Sequence, residues 1–212
     1  MLFSCPKNTA TLNIENFSTA TNKAHLDIIH GLSTLPPIGA NMPESTFIHP
    51  LFGEIRFETV TPEWKRGDKI VFLSGFDSSE VESLITPQLA NIPGASKGKL
   101  KVHKRAQAQL LKAFVLIENR GLLHHVKTCA GTLNARLRKP TSGALSKLPS
   151  NHAFGIAIDL NEDDPGFGDS VAPLAATFES MGFTWGKAFN DPMHFEVNRF
   201  LSQDEVDTFA GQ

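Results

Sequence analysis

Two short runs about thirty residues apart constrain this chain more than any other feature: Ser150 to Asn161, SNHAFGIAIDLN, and Asp191 to Glu196, DPMHFE. From Gly155 to Leu160, small or polar residues alternate with branched apolar ones, the period of a half-buried strand. Gly155, Ala157 and Asp159 then share one face, and Ile156, Ile158 and Leu160 form the other, which reads as core. In the second run Met193, Phe195 and Val197 alternate in the same way with His194, Glu196 and Asn198. Pro192 has no amide hydrogen for a sheet ladder, so the strand is placed from Met193, with Asp191 on the loop that enters it. Two such strands side by side bring His152, Asp159 and His194 to one point, with Asp191 close by.

That donor set has a definite chemistry. Two imidazoles and a carboxylate are the ligands of a zinc site that keeps one position open for water. Zinc lowers the pKa of that water towards about 7, and a nearby carboxylate takes its proton. Asp191 is the candidate general base.

The remaining sequence decides what surrounds the site. At 212 residues the chain is long enough for one domain with a substantial core, or a domain with an appendage. It is 41% apolar and 20% charged, which excludes fibrous and disordered classes. Lys97, Lys99, Lys101, Lys104 and Arg105 cluster around a helix start, but a net charge of −2 and no interleaved aromatics argue against nucleic-acid binding. No apolar run approaches the roughly 18 residues of a membrane-spanning helix. Met1 to Ala20 carries Lys7 without an apolar stretch after it, so no secretory leader is expected and synthesis is placed in the cytoplasm. Cys5 and Cys129 are read as free thiols.

Strands are expected over Gly53–Glu58, Lys69–Leu73 and Leu122–Leu133, the last beginning with His124 and His125. Helices are expected over Thr21–Leu32, over Val102–Arg120 with a stripe of Ala106, Leu110, Phe114 and Ile117, and over Val171–Met181, which Gly182 ends. A short last helix is expected over Ser202–Phe209, capped by Ser202. Glu162, Asp163, Asp164 and Asp169 read as a solvated loop matching no EF-hand spacing. The mixture indicates an α+β domain with a small antiparallel sheet.

The Ser-x-His-x-x-x-x-x-x-Asp run of Ser150 to Asp159, followed by Asp191-Pro192-Met193-His194-Phe195-Glu196, resembles the paired signature of the zinc peptidoglycan peptidases. That family includes VanY-like D,D-carboxypeptidases and L-alanyl-D-glutamate endopeptidases of phage endolysins. Pro87-Gln88-Leu89, Ile92-Pro93-Gly94, the helix to Gly121, Ala130 to Arg136, and Gly182 to Gly186 are similar too, so the resemblance spans roughly residues 50 to 200. It implies a zinc D-Ala-D-Ala peptidase (hedgehog-like) fold, with a peptidase domain over 46–212 and an N-terminal extension of unknown role over 1–45. It further implies one zinc ion held by His152, Asp159 and His194, with Asp191 as base. Arg136 would face a substrate carboxylate or oxyanion, with Arg138 two positions on as its competitor for that place. Ser150 would bind substrate or orient a ligand. Many D,D-carboxypeptidases have Glu where Asp191 stands and endopeptidase members more often have Asp, which leans towards an endopeptidase; relatives often have a longer loop than Gly186 to Asn190, and since such loops build substrate pockets, the resemblance leaves the cleaved bond open. The implied substrate is a peptidoglycan stem peptide in the cell wall, reached by lysis, a holin or a secretion machine. A monomer is expected, and an immunity partner would go with a toxin context. The alternative is a non-catalytic zinc-containing binding module on the same fold.

Overall fold

The structure is a computed structural model describing residues 42–140, 145–164 and 169–209. The helix expected over Thr21–Leu32 and Cys5 lie outside these residues.

The chain first forms an antiparallel sheet of β1 (Glu44–His49), β2 (Gly53–Thr59) and β3 (Ile70–Ser74), in that order. Strand alternation sends Ile55, Phe57 and Thr59 of β2 inward and leaves Glu54 and Arg56 outside. A second ribbon pairs β4 (Val81–Ile85) with β5 (Lys99–His103), and Leu100 and Val102 turn into the core. Helix α1 (Lys104–Asn119) follows β5 at once, because the His103 ring accepts the Arg105 amide at 3.2 Å and caps the first turn. Its stripe of Ala106, Leu110, Phe114 and Ile117 is buried, as the period of 3.6 requires. Burying each of the three large side chains contributes roughly 1.5–3 kcal/mol.

The sheet that positions the site consists of β6 (Cys129–Gly131), β7 (Ala157–Leu160), β8 (Phe183–Trp185) and β9 (His194–Val197), antiparallel in the order β6-β7-β9-β8. One face packs on α1 and on α2 (Ala175–Ser180). The Phe178 ring of α2 meets Phe114 of α1 edge-on at 5.6 Å and stacks on Phe195 of β9 at 4.2 Å. Ile158 and Leu160 share this face and are fully buried. The opposite face is left for polar groups. A last helix, α3 (Gln203–Thr208), starts with a reciprocal capping box between Ser202 and Glu205.

The α+β class stands, with three antiparallel sheets among the described residues instead of one. Several boundaries differ for local reasons. Lys99 and Lys101 do not belong to a helix start; they alternate outward along β5 while α1 begins at Lys104. The stretch read as a strand over Leu122–Leu133 is a 3₁₀ turn over Leu123–His125 followed by the short β6. Pro173 keeps Asp169–Leu174 in 3₁₀ form and delays α2 to Ala175. Gly155 is not in β7 but in the left-handed region, at φ 64°.

Candidate metal centre

β7 and β9 pair with Asp159 directly opposite His194 and Ala157 opposite Glu196. Opposed side chains of an antiparallel pair project from the same face, so Asp159, His194 and Glu196 meet on the side away from the core. Asp159 Oδ1 lies 2.8 Å from His194 Nδ1. His152 comes from a 3₁₀ turn, Asn151–Phe154, that delivers the chain into β7. Ser150 caps this turn by accepting the His152 amide at 3.4 Å, and Gly155 closes it. A Cβ at Gly155 would lie 2.9 Å from Val81 Cγ1 and 3.1 Å from the His103 amide nitrogen, so both the positive φ and the close approach to the β4–β5 ribbon call for glycine. The turn sets His152 Nε2 at 3.0 Å from Asp159 Oδ2 and 3.1 Å from His194 Nδ1. The ligand atoms of His152, Asp159 and His194 all lie within 4.8 Å of one another, on buried side chains.

The hydrogen bonds test whether these residues fit a cation. His152 Nδ1 faces the Thr132 carbonyl at 3.2 Å, and His194 Nε2 faces Glu196 Oε2 at 3.0 Å. Both partners only accept, so each of these nitrogens carries a hydrogen and the other nitrogen of each neutral ring presents a lone pair. Two lone pairs and a carboxylate thus converge with no donor between them, which a positive ion satisfies. The separations near 3 Å also suit tetrahedral zinc, whose ligand atoms are about 3.3 Å apart for bonds of 2.0–2.1 Å. Without a metal the cluster recruits a proton. Burial pulls His194 down, but Asp159 and Glu196 on its two nitrogens outweigh it and lift the ring to about 9. Burial likewise raises Asp159, yet hydrogen bonds and charge from both histidines hold it well below the ordinary carboxylate range.

Asp191 stands at the mouth. Its amide donates to the Gly186 carbonyl at 3.0 Å, its carbonyl accepts the His194 amide at 3.1 Å, and Trp185 Nε1 donates to the Pro192 carbonyl at 2.6 Å. The loop is therefore pinned at both ends, as expected for a carboxylate that must stay beside His194. Half-burial raises the Asp191 carboxyl, reinforced by Asp159 and opposed by the two histidines and Arg136.

Arg136 and Arg138 lie on one extended segment that bridges Lys69 and Pro149, and both line a cavity of about 410 Å³ together with Ser150, His152, Asp191 and His194. They face different groups. Arg136 lies within reach of the charges of Asp159 and Asp191, whereas Arg138 acts on His49 and Glu196. Arg136 Nη1 donates to the Leu137 carbonyl at 3.1 Å, and its Nε is buried without a hydrogen-bond partner. A second cavity of about 400 Å³ is lined by Asp159, Glu162, Asn190 and Met193. His152, Arg136 and Asp191 border both cavities, so the cluster sits between two recesses.

Three participants were not singled out from the sequence. Glu196 could have been found, since it lies two residues after His194 on the same strand face. Thr132 and His49 contribute through a carbonyl and a distant strand, for which the sequence offers no local pattern. His124 and His125 stay apart from the cluster, their rings tilted against each other at 4.1 Å with His124 Nδ1 against the Gly121 carbonyl. Of the acidic residues, Asp164 pairs with Lys127 and Asp169 with Lys187, while Glu162 lines the second cavity with Asp159.

The family whose profile matches residues 144–197 is described as D-alanyl-D-alanine carboxypeptidase. The match covers about a quarter of the chain, including the turn of His152, β7, α2, β8, the Asp191 loop and β9. No curated protein and no solved structure matches the chain. Over this segment the chain is similar to a peptidase family. No helix among the described residues is long and apolar enough to cross a membrane.

Proposed function

We propose that this chain is a zinc peptidase that hydrolyses an amide bond in the stem peptide of peptidoglycan, through a hedgehog-like D-Ala-D-Ala peptidase domain over residues 46–212. Residues 1–45 would then be an extension with a separate role. The observation that carries the reading is the convergence of two imidazole lone pairs and the Asp159 carboxylate, with Asp191 and Arg136 beside it on the open face.

His152, Asp159 and His194 would hold the ion, which when bound supplies Lewis acidity towards a carbonyl and towards water. Asp191 takes the proton of the attacking water. The protonated carboxyl then delivers that proton to the departing amine nitrogen. Arg136 directs a guanidinium into the cavity, where it stabilises negative charge growing on the carbonyl oxygen or holds a neighbouring substrate carboxylate. Ser150 acts first as the cap that sets His152 in place. Recesses on both sides of the cluster give room for peptide on both sides of the cut bond, which favours an endopeptidase over a carboxypeptidase. The wall would be reached by release or delivery from the producing cell, and the enzyme would act as a monomer.

Digestion of purified peptidoglycan and defined stem peptides, with zinc and with chelator, tests this by mass spectrometry. Cleavage between L-Ala and D-Glu is expected, and loss of only the terminal D-Ala would make the protein a carboxypeptidase. No zinc-dependent product from protein shown to hold its metal would replace the enzymatic reading with a zinc-containing binding module.

A further inference from the structure

We propose that His49, Asn151 and Glu196 form a relay that fixes which nitrogen of His194 faces the ion, making Nδ1 the ligand and Nε2 the hydrogen-bond donor. The inference rests on the metal centre proposed above, and it assigns a role there to the first sheet, which lies outside the segment that matches the peptidase family.

The direction of every hydrogen bond in the relay follows from the one before it. The Leu51 amide donates to His49 Nδ1 at 3.0 Å, so that nitrogen holds a lone pair. The ring is buried, and its desolvation favours the neutral form. The hydrogen therefore sits on Nε2, which donates to Asn151 Oδ1 at 3.1 Å. With its oxygen occupied, Asn151 has only amide hydrogens left to present, and it lines the same cavity wall as Glu196. Glu196 only accepts, and its donor is His194 Nε2 at 3.0 Å. Arg138 lines the cavity beside Glu196. What remains to His194 is the Nδ1 lone pair, pointed at Asp159 and His152.

The far end of the relay is rigid. The His49 ring lies 4.6 Å from Phe154 and 4.9 Å from Phe52, so it cannot flip without disturbing the aromatic cluster under β1. A ligand histidine whose outer nitrogen is held in this way keeps its tautomer and its angle before any metal arrives, and loss of such a partner typically weakens metal binding by about 10–100-fold. Glu196, Asn151 and His49 act through His194 and are positioning residues.

Two readouts on the full chain test the relay. The first is zinc affinity, measured by competition with a chromophoric chelator. Glu196→Ala should weaken zinc by about 10–100-fold, and His49→Phe, which keeps the ring packing and removes the donor, should weaken it less but measurably. The second is the long-range proton–nitrogen NMR spectrum of protein labelled with ¹⁵N-histidine. Zinc-loaded wild type should show His194 with its hydrogen on Nε2, and His49 should carry its hydrogen on Nε2 with or without metal. A ligand Nε2 on His194, or wild-type zinc affinity in folded Glu196→Ala protein, overturns the relay. If wild-type protein holds no zinc, the metal-centre reading fails; the relay is then decided in the metal-free spectrum, where a hydrogen on His49 Nδ1 overturns it.

Discussion

Replacing Gly186 with alanine offers the sharpest test of how the Asp191 loop works, because the damage can be measured on the structure. A Cβ at Gly186 would lie 2.2 Å from the Asp191 carbonyl oxygen and 3.0 Å from His194 Cβ. Ordinary contact begins at 3.4 Å, so the Asp191 carbonyl must withdraw by about 1.2 Å. That carbonyl also accepts the His194 amide, and the Asp191 amide donates to Gly186, so the movement carries the carboxylate and the imidazole with it. A displacement of about 1 Å at a reacting group costs on the order of 100-fold in rate, or about 2.7 kcal/mol of transition-state stabilisation. Overpacking of this kind costs a further 1–3 kcal/mol, roughly, in fold stability. Gly186→Ala should therefore remain folded, melt at lower temperature, and lose about 100-fold in kcat/KM on the stem peptide that the wild type cleaves. Thermal melting and steady-state kinetics on the same preparation separate the two effects. Wild-type kcat/KM in the folded variant would refute the argument that the position of Asp191 limits the reaction.

Other outcomes follow from the same geometry. Asp191→Asn should keep its zinc, read by atomic absorption, and lose roughly 10²–10⁴-fold in kcat, the usual worth of a general base; activity near wild type would remove that role from Asp191. His152→Ala removes one of three ligands and should fail to retain stoichiometric zinc after dialysis, while full retention would show that the ion sits elsewhere. Cys129 is buried, and burial is the main cause that pushes its thiol up to about 11. It should resist alkylation by iodoacetamide at pH 8 in native protein and react only in denaturant, as peptide mass mapping would show. Since the folded thiol is raised above its unfolded value near 9, it contributes no pH dependence below that value and costs stability as pH rises from about 9 towards 11.

The site was legible in the sequence to the extent that it is built from strand alternation. Asp159 and His194 had to share a face once their apolar neighbours were assigned to the core, and β7 and β9 pair accordingly. The stripe of α1 and the Ser202 cap were equally plain, because helix period and capping are local properties. Gly155 was misjudged since its neighbours continue the alternation, and only the approach of Val81 and His103 shows why it turns left-handed. Lys99 and Lys101 were read as clustering around a helix start because of the strong pattern after them, although they lie in β5, which pairs with β4. His49 lies 102 positions from the asparagine it bonds, and no local pattern carries information over that distance.

The register between β7 and β9 rests on three opposed pairs, with Ile158 across from Phe195 between Ala157–Glu196 and Asp159–His194. Because strand side chains alternate strictly, a slip of one residue would turn His194 towards Phe178 and send Phe195 into the open recess. Loss of the site by slippage is therefore also loss of the hydrophobic interior. Drift in these strands is policed by folding as well as by chemistry, and a sequence that keeps the apolar half of each strand keeps the other half correctly aimed even while its polar residues vary.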